Sequence, residues 1–297
     1  MDWLDGDWRR AAHGWIGRQV EVTGPITQPH VRPWSTTMRV PTSAGVLWFK
    51  ANGPGTVYEA GLLAVLGRLV PDSVPVPVAV DAARGWSLSP DGGSPLTPPP
   101  DPAHWEALLP RYAELQRTVA GHVGELLDLG VPDLRPERMP GHLAELIQDD
   151  ERVGRYAGWC AELAAAGIPP SIQHDDLHDA NVFRHGGGYR IVDWGDSGVA
   201  HPFGTLLITL RVLAKRLDLP AGDPLLDRLR DAYLEPWTGE HDRSALRHAA
   251  DLAVRVALVG RVLAWQRALL DADDAARAEY GPATDGWLDA LFDVNTP

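Results

Sequence analysis

Between Ser89 and Pro102 the chain reads SPDGGSPLTPPPDP, six prolines and two glycines in fourteen residues. Proline lacks the amide hydrogen that helices and central strands need, so no regular element runs through this stretch. It marks a hinge between segments of different periodicity. We divide the chain into residues 1–88, a hinge at 89–102, and residues 103–297. The expected class is α+β: a small β-rich lobe with one helix, then a larger, mostly helical lobe carrying one β-hairpin.

The first lobe opens on WLDGDWRRAAHGWIG, where Trp8 and Trp15, seven residues apart, share one helical face. From Val20 to Asn52 short β-like runs follow, VEVTGPITQP, TTMRV and VLWFKAN. Side chains alternate along a strand, so Val46, Trp48 and Lys50 share a face, and PTSAG predicts a hairpin turn. Thr56 and Glu59 have the spacing of a capping box before a helix of about four turns through Leu62, Leu63, Leu66 and Leu69. SVPVPVAVDAARGWSLSP predicts two further strands at a sheet edge, turning at Asp81 to Gly85. Beyond the hinge the pattern is helical, with NVFRHGGGYRIVDW as the only β-like interruption.

Forty acidic against 27 basic residues leave a formal charge of −13. That balance argues against nucleic acid or an anionic membrane surface as the main partner and suits a cationic ligand, although an acidic surface also serves solubility. The lone Cys160 is expected in the core, and it rules out an internal disulfide or a cysteine-rich zinc site. MDWLDGDWRR carries acids where a secretory leader needs basic residues, and no uncharged run has the length of a membrane span. The expectation is a soluble, cytoplasmic protein; no feature specifies an oligomeric state.

SIQHDDLHDAN, Ser171 to Asn181, gathers two histidines, three aspartates and an asparagine in eleven residues, just before the HGGG turn. A turn centred on Gly187 places Asn181 opposite Asp193, about 4.5–5.5 Å apart at Cβ, close enough for both to share a divalent cation. Mg²⁺ prefers such hard oxygen ligands, completed by water and phosphates. Asp176 lies in the loop leading in. His174, Asp176, Asn181 and then Asp193-Trp194-Gly195 follow the order H-x-D-x-x-x-x-N and D-F-G of phosphoryl transfer, with Trp for Phe. In that chemistry Asp176 takes the proton of a substrate hydroxyl while Asn181 and Asp193 hold the metal on the nucleotide phosphates.

HDDLHDAN followed by RIVDWGDSG resembles the aminoglycoside phosphotransferase and choline kinase family, the small-molecule branch of the protein-kinase-like fold. The resemblance is densest from Gln173 to Gly198, and the order of lobes extends it over nearly the whole chain. It implies a two-lobed enzyme using ATP, with GTP as the open alternative, and Mg²⁺, to phosphorylate a small hydroxylated acceptor. An aminoglycoside or amino sugar is favoured over choline-like or plain sugar acceptors. It implies that Asp176 is the catalytic base, that Asn181 and Asp193 are metal ligands, and that His174 and His178 orient the site, with Asp196 ranked below Asp193. Lys50 falls where the family keeps its phosphate-binding lysine, Glu59 where it keeps that lysine's partner, and Leu88 to Gly92 where adenine is covered. Two features depart from the pattern. Asp175 replaces the usual Gly and is expected to face solvent, and TQPHVRPWSTT, Thr27 to Thr37, stands in for a glycine-rich phosphate loop.

Other classes fit less well. A metal-dependent hydrolase, or a zinc helix built on His174 and His178, needs this segment helical, and GIPPSIQ with the glycine turn makes it a loop. A catalytically silent nucleotide-binding or ligand-binding protein has no need for a proton acceptor, yet Lys50, Asp176, Asn181 and Asp193 are all present. The acids Asp271, Asp273, Asp274 and Glu279 read as a solvated helix face.

Overall fold

The computed structural model describes residues 2–96, 99–284 and 286–293, so Thr97 and Pro98 of the expected hinge lie outside the described residues. Helix α1 (Gly6–Gln19) starts where the Asp5 carboxylate accepts the Trp8 amide hydrogen, and it buries Trp15 and Ile16. It lies on a five-stranded sheet, β1 (Thr27–Val31), β2 (Ser35–Thr42), β3 (Gly45–Asn52), β4 (Ala79–Asp81) and β5 (Trp86–Pro90), ordered β1-β2-β3-β5-β4. Trp8 and Trp15 both meet Trp86 edge-on, at 6.2 and 5.9 Å, and Trp15 also meets Phe49. Because Phe49 and Ala51 face this aromatic cluster, alternation turns Trp48 and Lys50 to the opposite face. β5 lies inside the sheet between β3 and β4, so only one of the two strands expected at an edge, β4, is there.

Helix α2 spans Glu59–Leu69, about three turns where four were expected, and buries Leu62 and Leu66 in the main core. Pro54–Thr56 forms a separate short turn, and the helix start at Tyr58 has no side-chain cap. The capping box therefore does not form. The Glu59 carboxylate is drawn instead to Lys50 and to the Trp194 amide.

The proline-rich stretch is tethered: β6 (Ser94–Pro95) pairs with the hairpin of the helical region, Ser94 to Arg184 and Pro95 to Phe183. Helices α3 (Pro102–Ala120), α4 (Val123–Asp128), α5 (Met139–Leu146) and α6 (Asp150–Ala165) follow, with β7 (Asp133–Leu134) between α4 and α5. Cys160 is buried in their core, as expected, and burial pushes its thiol up to about 12. β8 (Ser171–Gln173) leads into the polar loop, then β9 (Val182–His185), β10 (Gly188–Ile191) and β11 (Gly198–Ala200). The chain ends in α7 (Leu206–Arg216), α8 (Pro224–Leu234), the 26-residue α9 (Arg243–Ala268), α10 (Asp274–Tyr280) and α11 (Trp287–Phe292). β7, β11 and β8 form a second small sheet, so the hairpin is not the only β structure here. Strands of two or three residues are too short for alternation to reveal them.

The hairpin turn uses Gly186 and Gly187, both at positive φ, and pairs Gly188 with His185 and Ile191 with Val182. Its centre lies between the two glycines rather than on Gly187. Asn181 consequently stands opposite Val192, whose amide bonds its carbonyl at 3.0 Å, and not opposite Asp193. Among the described residues no helix is long and apolar enough to cross a membrane.

Under the polar loop, buried His201 accepts the Phe203 amide hydrogen through Nδ1, and burial depresses its pKa from 6.5 to about 3. The unfolded chain therefore takes up a proton below about 6.5 that the fold refuses, and stability falls as pH drops toward about 3. The slope contributed is up to about 1.4 kcal/mol per pH unit. Urea unfolding of His201→Asn, which keeps an acceptor but does not titrate, should show a shallower loss between neutral and acid pH; an unchanged slope would refute the assignment.

Candidate active site

Lys50 crosses from β3 into the space between sheet and helices, where its Nζ lies 2.7 Å from Glu59 Oε1 and 2.6 Å from Asp193 Oδ1. Glu59 also accepts the Trp194 amide hydrogen at 2.9 Å. One ammonium thus joins β3, α2 and the turn after β10. Burial alone would lower the Lys50 pKa, but the charges of Asp193 and Glu59 outweigh it and hold the amine protonated above its ordinary range. Burial raises the Glu59 carboxyl despite Lys50, whereas the Lys50 charge holds that of Asp193 below its usual range. Asp193 adopts a left-handed backbone, φ 64°, which turns the chain out of the ladder. Asp tolerates that region better than most residues, and the side chain of Asp193 meets Lys50.

His174, fully buried, is fixed on every side. Its amide donates to Tyr112 Oη at 3.0 Å, its Nδ1 accepts the Asp176 amide hydrogen at 3.3 Å, and its ring packs on Trp194. With Nδ1 accepting, Nε2 carries the hydrogen and donates to the Val192 carbonyl at 2.9 Å, while burial lowers its pKa and keeps the ring neutral. Asn181 Nδ2 donates to the Asp176 carbonyl at 2.9 Å and to its Oδ2 at 3.3 Å. His178 Nε2 lies 3.3 Å from the same carboxylate oxygen. Burial works to raise the Asp176 carboxyl, yet the His178 hydrogen bond and the charges of Arg261 and His178 bring it below its ordinary value. Asp176 is therefore ionised at neutral pH, with its side chain 29% exposed.

Asp175 does not face solvent, contrary to expectation. It is buried at φ 60°, accepts from Gln173 Nε2 at 2.8 Å and lies against Arg261, and burial raises its pKa to about 7. Arg261 Nη1 also donates to Asp196 Oδ2 at 3.2 Å, and Arg267 Nη2 to the Asp196 carbonyl. Burial, together with the charges of Asp176 and Asp193, raises the Asp196 carboxyl despite Arg261.

Lys50, Glu59, Asp176, Asp193 and Asp196 border one cavity of ≈ 160 Å³, while His174, His178 and Asn181 support the Asp176 loop. Trp34, Trp265 and Arg261 also line its walls. Trp34 falls within the Thr27 to Thr37 stretch, and its ring meets Trp265 and Tyr280 edge-on at 5.8 and 5.1 Å. Sequence reasoning passes over Arg261 and Trp265, although an arginine on the apolar face of ALVGRVLAW is a signal of a buried, paired charge. The acids near the end are not brought here; Asp273 caps α10. Among the described residues no three His, Cys, Asp or Glu side chains group to hold a metal by themselves. The Asp193 carboxylate and Asn181 Oδ1, left over once Nδ2 is committed, are hard oxygen donors of the kind that suits a cation taking the rest of its shell from phosphate and water.

A family model described as the phosphotransferase enzyme family matches residues 7–246. The chain belongs to this family. Solved structures agree in fold. A choline/ethanolamine kinase family protein from Mesorhizobium loti superposes with TM-score 0.62 at 18% identity, covering 98% of this chain and 96% of its own. APH(2")-IIia, solved with GDP and kanamycin, gives 0.60 at 16% identity, covering 95% and 97%. Amicoumacin kinase, solved with AMP-PNP and Ca²⁺, gives 0.59 at 15%, covering 96% of each chain. No curated protein sequence matches the chain. The fold is therefore the two-lobed protein-kinase-like α+β fold, and the chain is a small-molecule phosphotransferase.

Because Glu59 is buried, Lys50→Met leaves a carboxylate without its cation and should destabilise the protein by roughly 3–5 kcal/mol. Lys50→Met/Glu59→Leu should regain most of that loss in urea denaturation. Equal destabilisation in both variants would show that the pair is not the stabilising unit.

Proposed function

We propose that this phosphotransferase moves the γ-phosphate of ATP, or of GTP, to a hydroxyl of a small cationic molecule. Residues 1–88 form the nucleotide lobe, 89–102 the hinge, and 103–297 the lobe that carries the catalytic loop and binds the acceptor. The observation that carries the reading is Asp176: a carboxylate held ionised, part-exposed at a cavity that the Lys50–Asp193 pair also lines. A proton acceptor and a phosphate-binding cation facing one cavity are what transfer to a hydroxyl requires.

In this reading Lys50 neutralises nucleotide phosphate charge, and Glu59 keeps it extended from β3. Asn181 Oδ1 and Asp193 would hold Mg²⁺, which when bound neutralises charge on the phosphates. Asp176 aligns the acceptor hydroxyl and takes its proton, with His178 and Asn181 fixing its direction. His174, neutral and immobile, sets the loop that bears it. Alignment and charge neutralisation carry most of the rate, since phosphoryl transfer has a loose transition state.

The acidic balance of the chain and the carboxylates around the cavity favour an acceptor bearing ammonium groups, such as an aminoglycoside, an amino sugar or an amino alcohol. The neighbours named for kanamycin, choline and ethanolamine support that class. We place the reaction in the cytoplasm, where nucleoside triphosphates are supplied.

Incubation with Mg-ATP or Mg-GTP and pooled aminoglycosides, amino sugars, sugars and amino alcohols, read by mass spectrometry, should yield a product heavier by one phosphate. Asp176→Asn should lower turnover by roughly 10²–10⁴-fold with the fold intact; wild-type turnover in that variant would remove the base assignment. Asp193→Ala should weaken nucleotide binding in a Mg²⁺ titration, and an unchanged affinity would count against its role as ligand.

A further inference from the structure

Asp175 combines two unfavourable features, a positive φ on a residue with a Cβ and a carboxylate 1% exposed among other acids. Both are tolerated because of one partner. Arg261, itself 5% exposed, reaches from α9 and donates through Nη1 to the Asp175 carbonyl at 2.7 Å. The same nitrogen lies 3.5 Å from Asp175 Oδ2 and 3.2 Å from Asp196 Oδ2, and Nη2 lies 3.8 Å from Asp176 Oδ1. A single guanidinium thus faces three aspartates from two loops.

We propose that Arg261 is the positioning residue of this active site, gripping Asp175 by carbonyl and carboxylate, and Asp196 by carboxylate, so that Asp176 projects into the cavity in a fixed direction. The inference rests on the reading of Asp176 as base. A point charge does not suffice: Nη1 serves the backbone oxygen and the carboxylates of both loops while Nη2 faces Asp176, and the planar guanidinium fixes the spacing of these two nitrogens, whereas an ammonium presents only one. Gln173 completes it by holding the other Asp175 oxygen at 2.8 Å. Since α9 also contributes Ala264, Trp265 and Ala268 to the cavity wall, the direction of Asp176 is referred to the same helix that bounds the space the substrates enter.

The test measures phosphate release from Mg-ATP with water as acceptor, so it does not depend on the acceptor's identity, and Mg-ATP affinity by tryptophan fluorescence. Arg261→Met should lower kcat roughly 100-fold per folded molecule, the loss typical of a misaimed group, with KM for Mg-ATP unchanged within about twofold. Arg261→Lys should restore the melting temperature but leave kcat at least about tenfold down. Asp175→Gly relieves the backbone but removes the gripped carboxylate, so it should itself lower kcat about tenfold, and adding Arg261→Met to it should cost about tenfold or less, because part of the grip is already lost. Wild-type kcat in Arg261→Met, a KM that rises in step with the loss, or the same 100-fold cost in both backgrounds would overturn the proposal. Should Arg261→Met fail to fold, Arg261→Lys and the double variant decide between the same two outcomes. Asp176→Asn is run beside them: if it hydrolyses ATP at the wild-type rate, the base reading fails; if it is silent while Arg261→Met is unimpaired, only the role of Arg261 fails.

Discussion

The site depends on where one ammonium group sits. Lys50 Nζ is shared by Glu59 and Asp193, so its position ties the sheet, the helix α2 and the turn after the hairpin into one arrangement. What places Lys50 there is the aromatic packing on the other face of the same strand. Phe49 is pinned against Trp15 and Trp86 beneath α1, and a strand that slipped by one residue would exchange Phe49 for Lys50 in that cluster. Burying an ammonium among these rings is far costlier than burying another ring, so the core that looks remote from the chemistry sets its register.

Around that cation the carboxylates separate into two kinds. Asp176 and Asp193 are held below their ordinary range by the positive groups beside them, while Glu59, Asp175 and Asp196 are pushed up by burial. Residues of one chemical type thus acquire different duties from their surroundings alone. The two kept charged are the ones the proposed reaction needs charged. The three pushed up serve as hydrogen-bonded struts between β3, α9 and the loops, and each is paired with Lys50 or Arg261.

Much of this is legible in the sequence, and what is not has a physical reason. His174, Asp176, Asn181 and Asp193 stand out because loop chemistry concentrates polar residues at fixed spacing, and Lys50 because strand alternation is strict. The expected pairing of Asn181 with Asp193 is off by one residue because three successive glycines let the turn centre on either side of Gly187. The capping box does not form because Glu59 has stronger partners, the Lys50 ammonium and the amide of Trp194, which is 135 residues away in sequence; local spacing is blind to such competition. Asp175 reads as solvent-facing because the cation that buries it, Arg261, is 86 residues away.

That distance has a mechanical consequence. The helix that supplies Arg261 also presses on the sheet region: a Cβ on Gly55 would overlap the Arg267 carbonyl, and Trp34 of the β1–β2 turn meets Trp265. Arg261, Trp265 and Arg267 lie on one continuous helix, which transmits displacement because its hydrogen-bonded ladder is stiff along the axis. Any opening of the cavity wide enough to admit a nucleotide must therefore either break the glycine and tryptophan contacts or carry α9 with the sheet. Breaking them exposes apolar rings and leaves the Asp176 loop undisturbed; carrying α9 pulls Arg261 away from three aspartates. Losing the guanidinium costs more, because it leaves the buried Asp175 carboxylate without its cation. The lobes are thus expected to part at the aromatic contact, with α9 staying on the catalytic loop throughout.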